Sequence, residues 1–259
     1  MDERPLVLLT NDDGFLAPNL RALCDELRAW AQVVVVAPES EQSATSHALT
    51  LHRPLRLRQV EEGVFALDGT PADCVYVGLH SPRQPLPRRP DLVVSGLNHG
   101  LNLGADVFYS GTVGGAREGA LRGIPALACS AASKAERGAA AAFASWVARR
   151  FLSVAQGAAG GRRPLLFNLN IPAGAGPWAL RATVLGSRLY ADQVVHARDP
   201  RGRDYLWIGG APERHEEIPG SDTEAHEQGH ASLTPLILDL THTTDAPLAL
   251  AVTEGLPPP

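Results

Sequence analysis

Leu6-Val-Leu-Leu-Thr10-Asn11-Asp12-Asp13-Gly14 lies near the start of the chain, and its reading governs the rest. The run Leu6–Thr10 is apolar, ends in a β-branched residue and is too short for a helix, so it reads as a buried strand. Asn-Asp-Asp-Gly reads as a turn. In an open parallel α/β sheet, ligands bind beyond the carboxyl ends of the strands, where Asp12 and Asp13 would sit. Two adjacent carboxylates raise each other's pKa unless a cation lies between them. Hard divalent ions take such oxygen ligands. One reading is a Mg²⁺- or Mn²⁺-type site. The other is a polar turn whose aspartate caps the next helix.

Working outward, Pro18 is suited to open a helix. Leu20, Leu23, Cys24 and Leu27 then form one apolar stripe. Val33–Ala37, stopped by Pro38, is a second buried strand, and strand-helix-strand at this spacing is a βαβ unit. Leu55, Leu57, Val60, Phe65 and Leu67 suggest a short antiparallel pair. Thr70, Pro71 and Asp73 fit an N-cap, first helical position and capping box. Asp91–Ser95, Ala126–Ser130 and Leu165–Asn168 read as further strands. An alanine-rich helix precedes the last of these, with Phe143, Trp146, Val147 and Arg150 as its expected stripe. From about Gly174 alternation with many turns replaces strand-helix alternation. Tyr205–Gly210 and Ser232–Thr241 look like strands, and the His-rich segment His215–Gly229 like a loop or short polar helix. The expectation is a doubly wound, mostly parallel sheet over residues 1–173. Residues 174–259 are expected to form a β-rich extension of strands and loops, packing on the core and on a partner subunit.

The chain has 259 residues, 44% hydrophobic and 20% charged, an ordinary globular composition. A formal net charge of -5 argues against a nucleic-acid polymer as partner, which needs a basic footprint. No apolar stretch is long enough to span a bilayer, and no secretory leader is expected before the first strand. Cys24, Cys74 and Cys129 lie far apart with no CxxC, as reduced buried thiols of a cytoplasmic protein would.

Three polar loops follow successive parallel strands: Asn11–Gly14, Glu39–His47 and Gly96–Thr112. In a doubly wound sheet they converge on one edge. Asp12 and Asp13 supply charge, and Ser43 and Asn98 could complete an oxygen shell with water. Ser110-Gly111-Thr112 opens a helix, so its N–H groups and dipole favour an anion. A divalent ion beside a helix N-terminus is a phosphate site. Neither G-x-x-x-x-G-K-[ST] nor a G-x-G-x-x-G after the first strand is present.

At this point the residues resemble a known family. Thr10-Asn-Asp-Asp-Gly14, Ala37-Pro38 with Ser43-Ala44, Gly69-Thr-Pro-Ala-Asp-Cys74, Ser95-Gly-Leu-Asn98 and Tyr109-Ser-Gly-Thr-Val113 occur in the order seen in the SurE family. The likeness runs from Leu6 to about Pro172 and resumes at Trp207-Ile-Gly-Gly210, Ser221-Asp222-Thr223 and Ser232–Thr241. SurE proteins are divalent-metal-dependent 5′/3′-nucleotidases. The resemblance implies a Rossmann-like fold whose C-terminal extension assembles a homodimer or tetramer. It implies one metal ion per subunit, Mg²⁺ or Mn²⁺, held by the positions matching Asp12, Asp13, Ser43 and Asn98. It puts Ser110, Gly111 and Thr112, with Asn98, on the phosphate side. Ser46 stands where many relatives have glycine, and Leu101 where proline is common.

The expected function is therefore a cytoplasmic phosphomonoesterase acting on nucleoside monophosphates, with Asp12 as general base or nucleophile. A haloacid-dehalogenase-type phosphatase wants Asp-x-Asp, and here the acids are adjacent; Asp68-Gly69-Thr70 matches only part of that motif. The alternative from another class is a metal-dependent nucleotide sensor without turnover. Ala225–His230 reads as an exposed or subunit-facing loop rather than a second metal site, because its spacing fits no standard ligand motif.

Overall fold

The computed structural model describes residues 4–83, 85–157, 165–189, 194–208 and 214–253. Its first half alternates strand and helix: β1 (Leu6–Thr10), α1 (Pro18–Arg28), β2 (Gln32–Pro38), β3 (Leu57–Glu61), β4 (Val64–Leu67), α2 (Pro71–His80), β5 (Leu92–His99), α3 (Asp106–Tyr109), α4 (Gly111–Leu121), β6 (Ala126–Ala131), α5 (Arg137–Gly157) and β7 (Leu166–Ile171). Beyond it lie β8 (Leu180–Ala182), β9 (Ser187–Leu189), β10 (Val194–Arg198), β11 (Asp204–Ile208), β12 (Arg214–Glu216), α6 (Asp222–Glu227), β13 (Ala231–Leu236) and α7 (Ala246–Thr253).

The main sheet runs β3-β4-β2-β1-β5-β6-β7-β13-β8. Pairs along the centre are parallel; β3–β4 and β13–β7 are antiparallel. The chain builds outward from β1 through β2, then crosses back to β5 on the other side of β1. Strand order therefore reverses between β1 and β5, where an open α/β sheet leaves a crevice. Asp12 follows the first of these strands and Asn98 lies near the end of the second.

Period-two alternation divides the strands between two cores. Val7, Leu9, Val33, Val35 and Val94 pack with α1 and α5; Leu6, Leu8, Val34, Val36 and Val93 pack with α2 and α4. The stripe Leu20, Leu23, Cys24 and Leu27 is the buried face of α1, with Pro18 at its start. Thr70 caps α2 through a complete capping box with Asp73. On α4 the small face has a steric reason. A Cβ on Gly119 would stand 2.7 Å from the Val93 side chain, and one on Gly115 2.9 Å from Ser95 Oγ.

Some expectations need correction. The buried face of α5 is Ala140, Ala141, Ala144, Ser145, Val147, Ala148, Phe151 and Leu152. Of the expected stripe, Val147 is buried and Phe143 packs partly buried against the core, whereas Trp146 is 51% exposed and lies on the outside with Arg150 over its ring. Small residues let this helix lie close to α1, and Ser145 Oγ accepts a hydrogen bond from Trp30 Nε1 at 2.9 Å. β5 continues past Gly96 to His99, with a register shift against β6 between Ser95 and Asn98. β7 continues to Ile171, and β13 stops at Leu236, short of Thr241. All three cysteines are free and buried. No helix among the described residues is long and apolar enough to cross a membrane. Residues 209–213, which end one expected strand, lie outside the described residues, as does the tail 254–259.

Candidate metal and phosphate site

The turn after β1 is fixed from within. Asn11 Nδ2 donates to Gly14 O at 3.0 Å, and Gly14 takes φ +95°, which a side chain disfavours. Phe15 N–H then donates to Pro38 O and Gln42 N–H to Asp12 O, tying this turn to the loop after β2. A cleft of about 460 Å³ opens above these strand ends. Asp12, Asp13, Ser43, Asn98 and Ser110 all line it, with Glu41, His99, Asn102, Asp106 and Tyr109. Five residues up to 98 positions apart in sequence thus share one wall, as the convergence of strand-end loops requires.

Asp12 is 5% exposed. Its Oδ1 accepts from Thr112 Oγ1 at 2.5 Å and its Oδ2 from Thr112 N–H at 3.1 Å. Burial pushes its pKa up to about 6; the Thr112 bond opposes this and repulsion from Asp13 adds to it. Asp13 is also raised, again by burial first, against a hydrogen bond from His99 N–H (3.3 Å) and with repulsion from Glu41. Burial and mutual repulsion raise both carboxyls, a cost that a cation between them would relieve.

Thr112 and Gly111 are buried behind the cleft wall. Both donors of Thr112 are turned to Asp12, a coupling that the sequence did not indicate. Gly111 is needed for approach: a Cβ there would lie 3.0 Å from Asp12 Cβ, Gln42 O and Thr45 Oγ1. Ser110 Oγ caps α4 by accepting from Val113 N–H at 3.1 Å. Ser43 is exposed and its hydroxyl donates to Glu41 Oε1 at 2.8 Å. Asn98 Nδ2 donates to Gly100 O at 2.9 Å, which leaves the carboxamide oxygen as the ligand-type atom. The donor set is therefore two carboxylates, a hydroxyl and an amide oxygen, a hard oxygen set suited to Mg²⁺ or Mn²⁺. Among the described residues, no group of three or more His, Cys, Asp or Glu side chains gathers as a metal site, in this cleft or outside it, so the oxygen set here rests on two carboxylates with Ser43 and Asn98. Asp68 is not on the cleft; it pairs with Arg53 and Arg56.

Several residues of the cleft's far wall carried no individual signal in the sequence. Asn102 is pinned at the ends of β6 and β7. Its N–H donates to Asn170 Oδ1, its Nδ2 to Ser130 Oγ, and its carbonyl accepts from Asn168 and Asn170. Asp106 pairs with Arg188 of β9 at 2.6 Å. Asp222, fully buried, accepts from Gly104 N–H at 3.0 Å and Gly186 N–H at 2.7 Å. The C-terminal part thus braces the loop between β5 and α4. Of these, only Ser221-Asp222-Thr223 stood out beforehand, as part of the family likeness with no role attached.

The chain is similar to known proteins over most of its length. The family model for survival protein SurE matches residues 7–192. A protein of Sorangium cellulosum (strain So ce56), named 5′-nucleotidase SurE, is 61% identical over 237 residues, covering 92% of this chain and 91% of its own. A protein of Anaeromyxobacter sp. (strain Fw109-5), also named 5′-nucleotidase SurE, is 50% identical over 254 residues, covering 96% and 94%. The crystal structure of the SurE protein from Aquifex aeolicus superposes with a TM-score of 0.80 at 34% identity, covering 96% of this chain and all of that one. A Rossmann-like sheet, acids after its first strand and a match over most of the length lead to one conclusion: the chain belongs to the SurE family.

Proposed function

We propose that the chain is a 5′-nucleotidase, a divalent-metal-dependent phosphomonoesterase that releases phosphate from nucleoside monophosphates. The observation that carries this is the pair Asp12 and Asp13, both held above the usual carboxylate range on one cleft with Ser43, Asn98 and Ser110. Asp12, Asp13, Ser43 and Asn98 would hold one Mg²⁺ or Mn²⁺. When bound, such an ion polarises a phosphoryl oxygen and makes water a stronger nucleophile. Asn98 and Ser110 lie on the cleft where they would face the phosphate group at the mouth of α4; Gly111 and Thr112, expected beside them, are buried behind its wall and serve the phosphate side through the placing of Asp12. Thr112 also orients the Asp12 carboxylate through both of its oxygens.

Asp12 is the catalytic residue in this reading. Thr112 holds its carboxylate through both oxygens, which fixes it where it would accept a proton from the attacking water. Direct attack by its oxygen on phosphorus would instead give an aspartyl-phosphate. The stereochemistry at a chiral, isotopically labelled phosphate separates the two: a single displacement by water inverts phosphorus if Asp12 acts as base, and two displacements through an aspartyl-phosphate retain it.

Residues 1–173 form the catalytic core in this reading, and 174–259 an extension that meets a second copy of the chain in a homodimer or tetramer. Support comes from Leu206, Trp207 and Ile208 of β11, which are 65%, 66% and 92% exposed. We place the enzyme in the cytoplasm, in keeping with three free thiols. Phosphate release with and without EDTA tests the function. Metal-dependent release is expected; nucleotide binding without release would make the protein a sensor instead.

A further inference from the structure

The loop that carries Ser43 has a backbone it would not adopt alone. Ala44 and Ser46 take φ of 57° and 56°. These are left-handed values that a Cβ disfavours, and neither residue is of the Gly, Asn or Asp type that tolerates them. Such a backbone persists only where its surroundings over-determine it. Here the surroundings are the cleft itself. Thr45 Oγ1 donates to Gln42 O at 2.8 Å. Ser46 N–H donates to Tyr109 O at 2.9 Å, and its Oγ to Phe108 O at 2.6 Å.

The next residue makes the strongest of these ties. His47 Nε2 lies 2.8 Å from Glu118 Oε2. Glu118 sits on the buried face of α4 and is 1% exposed. Its other oxygen, Oε1, accepts from Arg122 Nε and Nη2 at 2.8 and 2.7 Å. Burial raises the Glu118 pKa, but the bonds from His47 and Arg122 outweigh it and hold the carboxyl below its usual range. The acceptor is therefore a buried carboxylate, for which a lost partner is costly. The same helix carries Thr112 at its start, so His47 links the Ser43 loop to the element that orients Asp12.

We propose that His47 is a positioning residue for the metal site: anchored on Glu118, it keeps the loop Glu39–His47 in the left-handed form that sets Ser43 on the cleft wall. Without the anchor, Ala44 and Ser46 relax to ordinary φ values and Ser43 leaves the cleft. The hydrophobic cores do not involve this loop, so the fold survives. This inference rests on the reading of Ser43 as a metal ligand.

The test is calorimetric titration of the intact, EDTA-treated protein with Mn²⁺ alone, alongside its thermal midpoint. Four proteins are compared: wild type, Asp12→Asn, His47→Ala, and His47→Ala combined with Ala44→Gly. His47→Ala should weaken Mn²⁺ binding roughly tenfold, the lower end for residues that orient a metal's ligands, and lower the midpoint through the Glu118 carboxylate it leaves with Arg122 alone, while the protein stays folded at the titration temperature. Adding Ala44→Gly should recover part of the affinity, because glycine adopts positive φ without penalty. Wild-type affinity in His47→Ala overturns the inference. So does a weakening that is not recovered by Ala44→Gly, which marks a purely structural role. Wild-type affinity in Asp12→Asn removes the metal reading and this inference with it. Binding lost in Asp12→Asn but kept in His47→Ala removes this inference alone.

Discussion

At the scale of single residues, the molecule concentrates its electrostatic cost in Asp12. Its folded pKa of about 6 lies above the ordinary 3.8. The metal-free fold therefore binds more protons than the unfolded chain between these values. Its stability is full below about pH 4 and falls as pH rises through 6. At 1.36 kcal/mol per unit the loss is at most about 3 kcal/mol. Asp12→Asn should abolish phosphate release and, in EDTA, raise the thermal midpoint at pH 8 but not at pH 4. A pH-independent effect on the midpoint would contradict the burial account. Thr112→Val removes the 2.5 Å hydroxyl bond to Asp12 while conserving volume. A hydrogen bond to a charged group contributes roughly 1.5–3 kcal/mol, so kcat should fall about tenfold or more, and Thr112→Ser should restore it. Asp12, Asp13, Ser43 and Asn98 were legible in the sequence because strand-end loops converge. The use of both Thr112 donors was not, since a hydroxyl at a helix mouth faces a ligand or a neighbouring loop with no difference in local sequence.

At the scale of elements, strands and caps followed local rules closely. The Thr70–Pro71–Asp73 box is one case. Asp73 does more than cap: it also accepts from Thr50 N–H and Oγ1 at 2.8 and 2.6 Å, fastening the far end of the Ser43 loop. Thr70→Ala should cost about 1 kcal/mol in urea unfolding. On α4, Gly119→Ala would push a methyl into Val93. Overpacking of this kind costs typically 1–3 kcal/mol, and a wild-type urea midpoint in that variant would contradict the tight helix-on-sheet contact. The face of α5 was misread because large apolar residues outweigh alanines in a hydropathy pattern. Here packing against α1 selects small side chains, so Trp146 is left outside. β5 was read short because Gly96 looks like a loop residue, whereas pairing with β6 carries the strand to His99. Both misreadings arise from contacts between elements, which no window of sequence contains.

At the scale of the whole molecule, the order reversal between β1 and β5 makes one crevice out of distant loops. Of the C-terminal strands β13 and β8 complete the same sheet, while Arg188 of β9 and Asp222 of α6 brace the crevice. The change in texture near Gly174 was legible; that β13 joins β7 and β8 was not, because a strand added antiparallel to a sheet leaves the same alternation as a free hairpin. If β11 meets a second copy, Trp207→Glu with Ile208→Asp should give a smaller species by light scattering, with the thermal midpoint of the core retained. An unchanged mass would remove β11 from the interface. The central claim is that a hard cation held after the first strand turns this cleft into a phosphate site. The most direct measurement is anomalous diffraction from crystals grown with Mn²⁺. The account predicts one strong peak per subunit within coordination distance of Asp12, Asp13 and Asn98, with Ser43 in the shell directly or through water. A cleft without a peak, with Asp12 and Asp13 turned apart, would contradict it.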